Sequence, residues 1–222
     1  AIVNDTLDTG PPAMLALRAI APVLTLEDSG PGHSLASRAV NALYEDGPGW
    51  AVLRPEFTSA PPWRLRRDGR RVLVTFGGTD PARLTIKAER ALAGLPLRIV
   101  KPPGWALSSG WIENPSMASE MLQADLVVCS AGRTLLEAAH LGVPAVVLAQ
   151  NPRETLHTHL GRGNVYLGLG SLVTDEQLRW TVETLLESPS QREDFSTQAR
   201  RLIDGKGLER VVFEVERLAR NL

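Results

Sequence analysis

Arg71-Val-Leu-Val-Thr-Phe-Gly-Gly-Thr-Asp-Pro81 and Asp125-Leu-Val-Val-Cys-Ser-Ala-Gly-Arg-Thr-Leu-Leu-Glu137 share one pattern. In each, a Val-rich apolar run ends in small residues and a helix is expected to follow. Unbroken apolar runs are the mark of strands covered on both faces, as in parallel sheets. Small residues at a strand-to-helix turn let main-chain N–H groups converge on an anion, and the helix dipole adds to the attraction. Two such turns in one parallel sheet point to a phosphate-bearing ligand, a nucleotide or nucleotide-sugar.

The same alternation runs outward from these turns. Strands are expected over 72–76, 97–100, 126–130, 145–148 and 165–167. Helices are expected over 81–92, 117–123, 134–141, 152–160, 175–186, 191–203 and 208–219, the last with Leu208, Val211, Val212, Val215 and Leu218 on one stripe. Upstream, Ile2-Val3 ends a strand, residues 11–20 make a short helix, 23–26 a strand, and 35–43 hold another short strand leading to Asn41. The stretch 46–62 is rich in Pro and Gly and reads as a connector. The charged run 64–71 reads as a solvated approach to the next strand. The fold class is therefore α/β: an open parallel sheet with helices on both faces, right-handed crossovers, and ligands beyond the carboxyl ends of the strands.

Composition sets the outer bounds. The chain has 222 residues, 43% of them apolar, and a net charge of −1. It is long enough for one large domain or two small ones. Its balanced charge gives no general attraction to nucleic acid or anionic membrane. No stretch is apolar enough to span a bilayer. The lone cysteine, Cys129, excludes an internal disulfide and fits a reducing, cytoplasmic setting. The opening Ala1-Ile-Val-Asn-Asp5 reads as the end of a strand without an initiator Met, so an upstream portion is expected to be missing or processed. No metal or cofactor is expected.

Three motifs carry the candidate chemistry. In Gly77-Gly78-Thr79-Asp80-Pro81, Asp80 is expected to cap a helix starting at Pro81, while the paired glycines allow a ligand close to the main chain. No Lys-Ser/Thr follows, so this is not a Walker loop. In Ser130-Ala131-Gly132-Arg133-Thr134, the first amides of a helix are expected to face phosphate, with Arg133 either on phosphate or in solvent. Glu137, one turn in, either accepts ribose hydroxyls or simply favours the helix dipole. In Gln150-Asn151-Pro152-Arg153-Glu154-Thr155-Leu156-His157, Asn151 to Glu154 has capping-box spacing, and His157 and Glu154 could do acid–base work. On a helix His157 and His159 would face apart, which excludes a metal pair. Gly30-Pro31-Gly32-His33 reads as a turn.

In this order the motifs resemble the C-terminal half of a GT-B-type nucleotide-sugar enzyme. The likeness is strongest to the spore-coat polysaccharide biosynthesis G family, which includes the UDP-sugar hydrolase of pseudaminic acid synthesis. It extends through Leu167-Gly168 and Asp204-Gly205-Lys206-Gly207 with Arg210. Upstream it takes in Asn4-Asp5, Leu26-Glu27-Asp28, Val40-Asn41-Ala42-Leu43 and Leu53-Arg54-Pro55-Glu56-Phe57. The resemblance implies a remnant of an N-terminal α/β domain over 1–58 and a C-terminal nucleotide-diphosphate-binding domain over 59–222. It implies UDP with phosphates against Gly78, Ser130, Ala131, Gly132 and Thr134, and ribose on Glu137; Gly77, Thr79 and Arg133 are further candidate ligand contacts in the same turns. The base would lie near Ile112 and Met117, and Asn151, Glu154 and His157 would face the sugar and carry catalysis. The implied function is hydrolysis of, or glycosyl transfer from, a UDP-sugar in surface polysaccharide synthesis. The family's glycine-rich histidine loop would precede Ala1, so the chain could need a missing N-terminal half. Alternatively it is a non-catalytic module that binds a nucleotide-sugar or another polysaccharide-synthesis protein.

Overall fold

A computed structural model of the chain describes residues 1–105, 110–113 and 115–220. In chain order its elements are β1 (Ile2–Asn4), α1 (Pro11–Arg18), β2 (Val23–Leu26), β3 (Arg38–Val40), α2 (Pro55–Thr58), β4 (Val72–Thr75), α3 (Leu84–Ala91), β5 (Leu97–Val100) and β6 (Trp111–Ile112). There follow α4 (Met117–Gln123), β7 (Leu126–Cys129), α5 (Arg133–Leu141), β8 (Ala145–Ala149), β9 (Val165–Leu169), α6 (Asp175–Glu187), α7 (Pro189–Arg200) and α8 (Gly207–Arg220). Among the described residues no helix is long and apolar enough to cross a membrane.

The chain forms two compact units, Ala1–Leu53 with Asp204–Leu222, and Arg54–Ile203. A single boundary after residue 58 leaves the last helix with the second domain, whereas its contacts group it with the first unit. The reason is its apolar stripe. Val211 and Leu218 of α8 join Leu24 and Val40 in one buried cluster. Gly207 at the start of α8 lies so close to the chain that a Cβ there would meet the Ala51 carbonyl at 2.1 Å. The sheet of this unit is parallel in the order β1-β2-β3.

The second unit holds a six-stranded sheet in the order β6-β5-β4-β7-β8-β9, every pairing parallel. β4, β7 and β8 are buried along their whole length, as their unbroken apolar runs require. α3 packs with α6, and α5 with α4 and α7.

Two expected helices are corrected. The helix expected from residue 81 starts at Leu84, because Asp80 and Arg83 both take left-handed backbone (φ 40° and 53°). The helix expected over 152–160 is only a 3₁₀ turn, Pro152–Leu156, and His157 that follows is extended (φ −67°, ψ 134°). β6 has no counterpart among the expected strands; two residues are too short for a period to show.

The amino ends of the central pair are locked together by one carboxylate. Asp125, just before β7, accepts the Arg71 N–H just before β4 at 2.8 Å and pairs with Arg66 at 2.7 Å. Arg66 also donates to the carbonyls of Leu122 and Ala124, so this member of the charged run 64–71 is bonded rather than merely solvated. Gly69 must lack a side chain here, since a Cβ would stand 2.1 Å from the Asp125 carboxylate. Asp125→Ala is expected to lower unfolding free energy by about 2–3 kcal/mol, because it strands the Arg71 amide and the Arg66 guanidinium. Gly69→Ala is expected to act in the same direction. Urea unfolding of both variants beside the parent measures this.

Candidate functional site

Within the second unit the strands, counted along the chain, stand in the spatial order 3-2-1-4-5-6, with the reversal between β4 and β7. That crevice, at the carboxyl ends of the strands, is where doubly wound sheets hold ligands. The register Thr75↔Cys129 brings both strands to the crevice level with each other. The two small-residue turns therefore sit side by side. A Cβ placed on Gly77 would lie 3.9 Å from Thr134 Oγ1.

The first turn is held from below. Gly77 takes φ 78°. Gly78 and Thr79 are exposed, and a Cβ on Gly78 would meet nothing within 4 Å. Asp80 is buried, and its carboxylate accepts the N–H groups of Leu84 (2.8 Å) and Thr85 (2.9 Å). It caps the helix as expected of Asp80, though across a strained loop rather than as the adjoining residue. Beside this turn opens a cavity of about 650 Å³ lined by Thr79, Arg83, Ile86, Glu89, Trp105 and Trp111.

The second turn is clamped through Ala131. Its N–H donates to Glu154 Oε2 at 3.3 Å, and the same oxygen accepts Gln150 N–H at 2.8 Å. Its carbonyl accepts from His157 Nδ1 (2.9 Å) and His159 Nε2 (3.2 Å). The Ala131 amide expected to face phosphate is thus already taken. The next residue, Gly132, is the N-cap of α5 and supplies no side-chain cap. Helix α5 accordingly presents the positive end of its dipole at the crevice, beside Ser130 and Thr134. Arg133 opens the helix with its side chain exposed.

The third motif supports the second. Asn151 Oδ1 accepts Glu154 N–H at 3.1 Å, half of the expected capping box. The Glu154 side chain does not close the other half; it bonds Gln150 and Ala131 instead. His157 and His159 do not face apart. His157 has left the helical path, and the residues after it form a turn that brings His159 round to the same side. Their rings stack with centroids 5.7 Å apart, and both bond the same carbonyl. Burial pushes the His157 imidazole below its ordinary range. Burial and the neighbouring His157 push His159 down to about 4. Asn151, Glu154 and His157 are thus brought together, as a scaffold beneath the second turn.

Glu137 lies in a separate network with Ser116 and α4. Its Oε1 accepts from Arg54 Nε (3.3 Å) and Nη2 (3.2 Å). Arg54 pairs with Glu56 at 2.8 Å and covers the Phe57 ring at 4.9 Å, and Glu56 Oε2 accepts from the Ser116 hydroxyl and the Ala118 N–H. This ties Glu137 to the start of α4, where half-buried Met117 follows half-buried Ile112 of β6. Burial raises the Glu137 carboxyl above its ordinary range, against the pull of Arg54.

Two contributors carried no legible signal of their own. Arg54 lies 83 residues from Glu137, and Gln150, whose Nε2 donates to Phe76 O at 2.8 Å, lies 74 from its partner. Cys129 is buried; burial, then Glu154 and Glu137, push its thiol pKa far up, which leaves it inert. Among the described residues no three His, Cys, Asp or Glu side chains could hold a metal ion.

The His159 shift fixes a pH dependence. The folded state holds this group at about 4, against 6.5 as a free side chain, so the unfolded chain binds the extra proton first. Stability from this group is whole above the unfolded value and is lost as pH falls through the folded one. In His159→Gln, the slope of unfolding free energy between those two values is expected to flatten, measured by denaturant titration across that range.

No family model matches the chain. The spore coat polysaccharide biosynthesis protein SpsG of Bacillus subtilis is 30% identical over an alignment covering 85% of this chain and 67% of that protein. The solved structure of MurG from Acinetobacter baumannii superposes with a TM-score of 0.70 over 98% of this chain and 73% of that one, at 20% identity. HepE from Anabaena, solved with UDP and glucose, superposes at 0.57 over 96% and 70%, at 14% identity. The fold is the Rossmann-like α/β architecture of the GT-B type, and the chain belongs to the spore-coat polysaccharide biosynthesis protein G family.

Proposed function

We propose that the second unit binds the nucleoside diphosphate of a nucleotide-sugar, UDP foremost, in surface polysaccharide biosynthesis. The observation that carries this is the adjacency, at the strand-order reversal, of an open glycine turn and the uncapped start of α5. The solved relative carrying UDP and glucose on the same fold supports the choice of ligand.

In this reading the diphosphate lies between Gly77-Gly78-Thr79 and Ser130, Gly132 and Thr134. As the anomeric bond breaks, negative charge grows on the departing phosphate, and the amides and dipole of α5 stabilise it. Glu137 serves ribose through Oε2, because Arg54 occupies Oε1 and fixes the carboxylate's direction. Ile112 and Met117 flank the base. Ala131 serves only through its clamp. Glu154 and His157 are positioning residues that hold the second turn, and Asn151 holds Glu154. Water as acceptor gives hydrolysis and a hydroxyl gives glycosyl transfer, with the acceptor supplied outside this unit. The second reading, a non-catalytic nucleotide-binding module, rests on the same crevice and is favoured by the use of Glu154 and His157 as main-chain clamps.

Calorimetry with UDP tests the site. Glu137→Ala is expected to weaken UDP about tenfold, a loss of about 1.4 kcal/mol, while the melting temperature holds. His157→Ala is expected to weaken UDP and lower the melting temperature together, since it releases the Ala131 carbonyl. Absence of UDP binding in the parent chain sinks both readings. UDP release from a UDP-sugar by the chain sinks the non-catalytic one.

A further inference from the structure

The amino edge of the second unit's sheet, at the end away from the crevice, carries a local charge that the chain's net −1 conceals. Residues 64–71, which lead into β4, hold five arginines and one acid, Asp68. All six are exposed. The loop that bears them is fixed from the inside. Trp63 donates its main-chain N–H to Leu141 O and its indole Nε1 to Ala124 O, both at 2.8 Å. The Gly69 N–H closes a turn on the Arg66 carbonyl at 3.1 Å. Arg192, wholly buried, donates Nη2 to the carbonyls of Arg66 (2.9 Å) and Arg67 (3.2 Å).

Cations gather at helix ends because the last carbonyls are the negative pole of the dipole. Here two inner arginines fill that role. Arg66 takes Leu122 O and Ala124 O at the end of α4, and Arg192 takes Leu185 O and Leu186 O at the end of α6. Arg66 is also neutralised by Asp125, and Arg98 of β5 by Glu120. Arg64, Arg67, Arg70 and Arg71 are left over. Among the described residues none of these four side chains has a carboxylate or carbonyl partner. Arg70 and Arg71 open on one hollow of about 460 Å³, shared with Asp68 and Gln123.

Uncompensated guanidiniums suit phosphate groups, which they meet with paired N–H donors. What the loop lacks narrows the occupant. No described residue of the loop exposes a large apolar side chain: Trp63 is buried and Leu65 half-buried. The loop therefore offers no aromatic platform for single-stranded bases and no anchor for a protein partner's pocket. A lipid surface requires neither, and clusters of four or more arginines or lysines are attracted to its anionic headgroups. We propose that this edge adsorbs to an anionic phospholipid surface by charge alone, without insertion, leaving the crevice of the same unit turned away from the bilayer. The proposal does not rest on the nucleotide reading.

The test is co-sedimentation of the whole chain with two kinds of vesicle, phosphatidylcholine alone and phosphatidylcholine with phosphatidylglycerol in equal parts. Partition into the mixed vesicles only is expected, and its loss at high salt. Arg67→Gln, Arg70→Gln and Arg71→Gln are each expected to lower that partition about fivefold while the melting temperature holds. Arg220→Gln, which removes the same charge from the first unit, is expected to leave it unchanged. Equal partition into both vesicles, or none into either, overturns the proposal. So does a loss no greater in the loop variants than in Arg220→Gln. So does a loop variant that keeps its vesicle partition but no longer binds an oligothymidylate or an oligoglutamate, which gives the edge to a nucleic acid or a protein.

Discussion

β4 and β7 run in parallel, with Val72 opposite Leu126 and Thr75 opposite Cys129. Everything at the crevice depends on that register. A shift of one residue would turn each buried side chain to the other face of the sheet and would part the two turns. The pairing is pinned at its amino ends, where Asp125 holds the Arg71 amide; past its carboxyl end Gln150, just after β8, donates to the Phe76 carbonyl. Apart from Thr75, the two strands offer only apolar side chains, which resist displacement through close packing.

The polar residues nearest the crevice mostly serve the main chain. Asp80 takes two amides of α3, Glu154 the amides of Ala131 and Gln150, and His157 with His159 the Ala131 carbonyl. Each satisfies a buried backbone group that would otherwise cost about 1–3 kcal/mol. The arrangement leaves the start of α5 without a side-chain cap while the peptide before it is immobile. A preorganised dipole of that sort binds an anion without the cost of ordering the loop first.

The legible part of this molecule was what periodicity and turn chemistry encode. Unbroken Val and Leu runs located β4, β7 and β8, and small residues after them located the turns. Capping patterns marked Asp80 and Asn151. The remainder depended on contacts distant in sequence. Nothing near His157 declares that its ring will meet a carbonyl 26 residues upstream, nor that the chain there leaves the helical path. The helix expected over 152–160 failed because tertiary bonds to Ala131 and Gln150 outweighed local propensity. Glu137 reads as a ribose candidate from its place in the helix, while Arg54, which bonds its carboxylate, stands in a connector that composition marks only as loop.

Backbone amide shifts on addition of UDP test the central claim most directly. If the two turns cradle a diphosphate, the amides of Gly78, Gly132 and Thr134 move together and saturate at one concentration. The Ala131 amide, bonded to Glu154, moves least among its neighbours. Shifts confined to other strands' ends, or a response of one turn without the other, would contradict it.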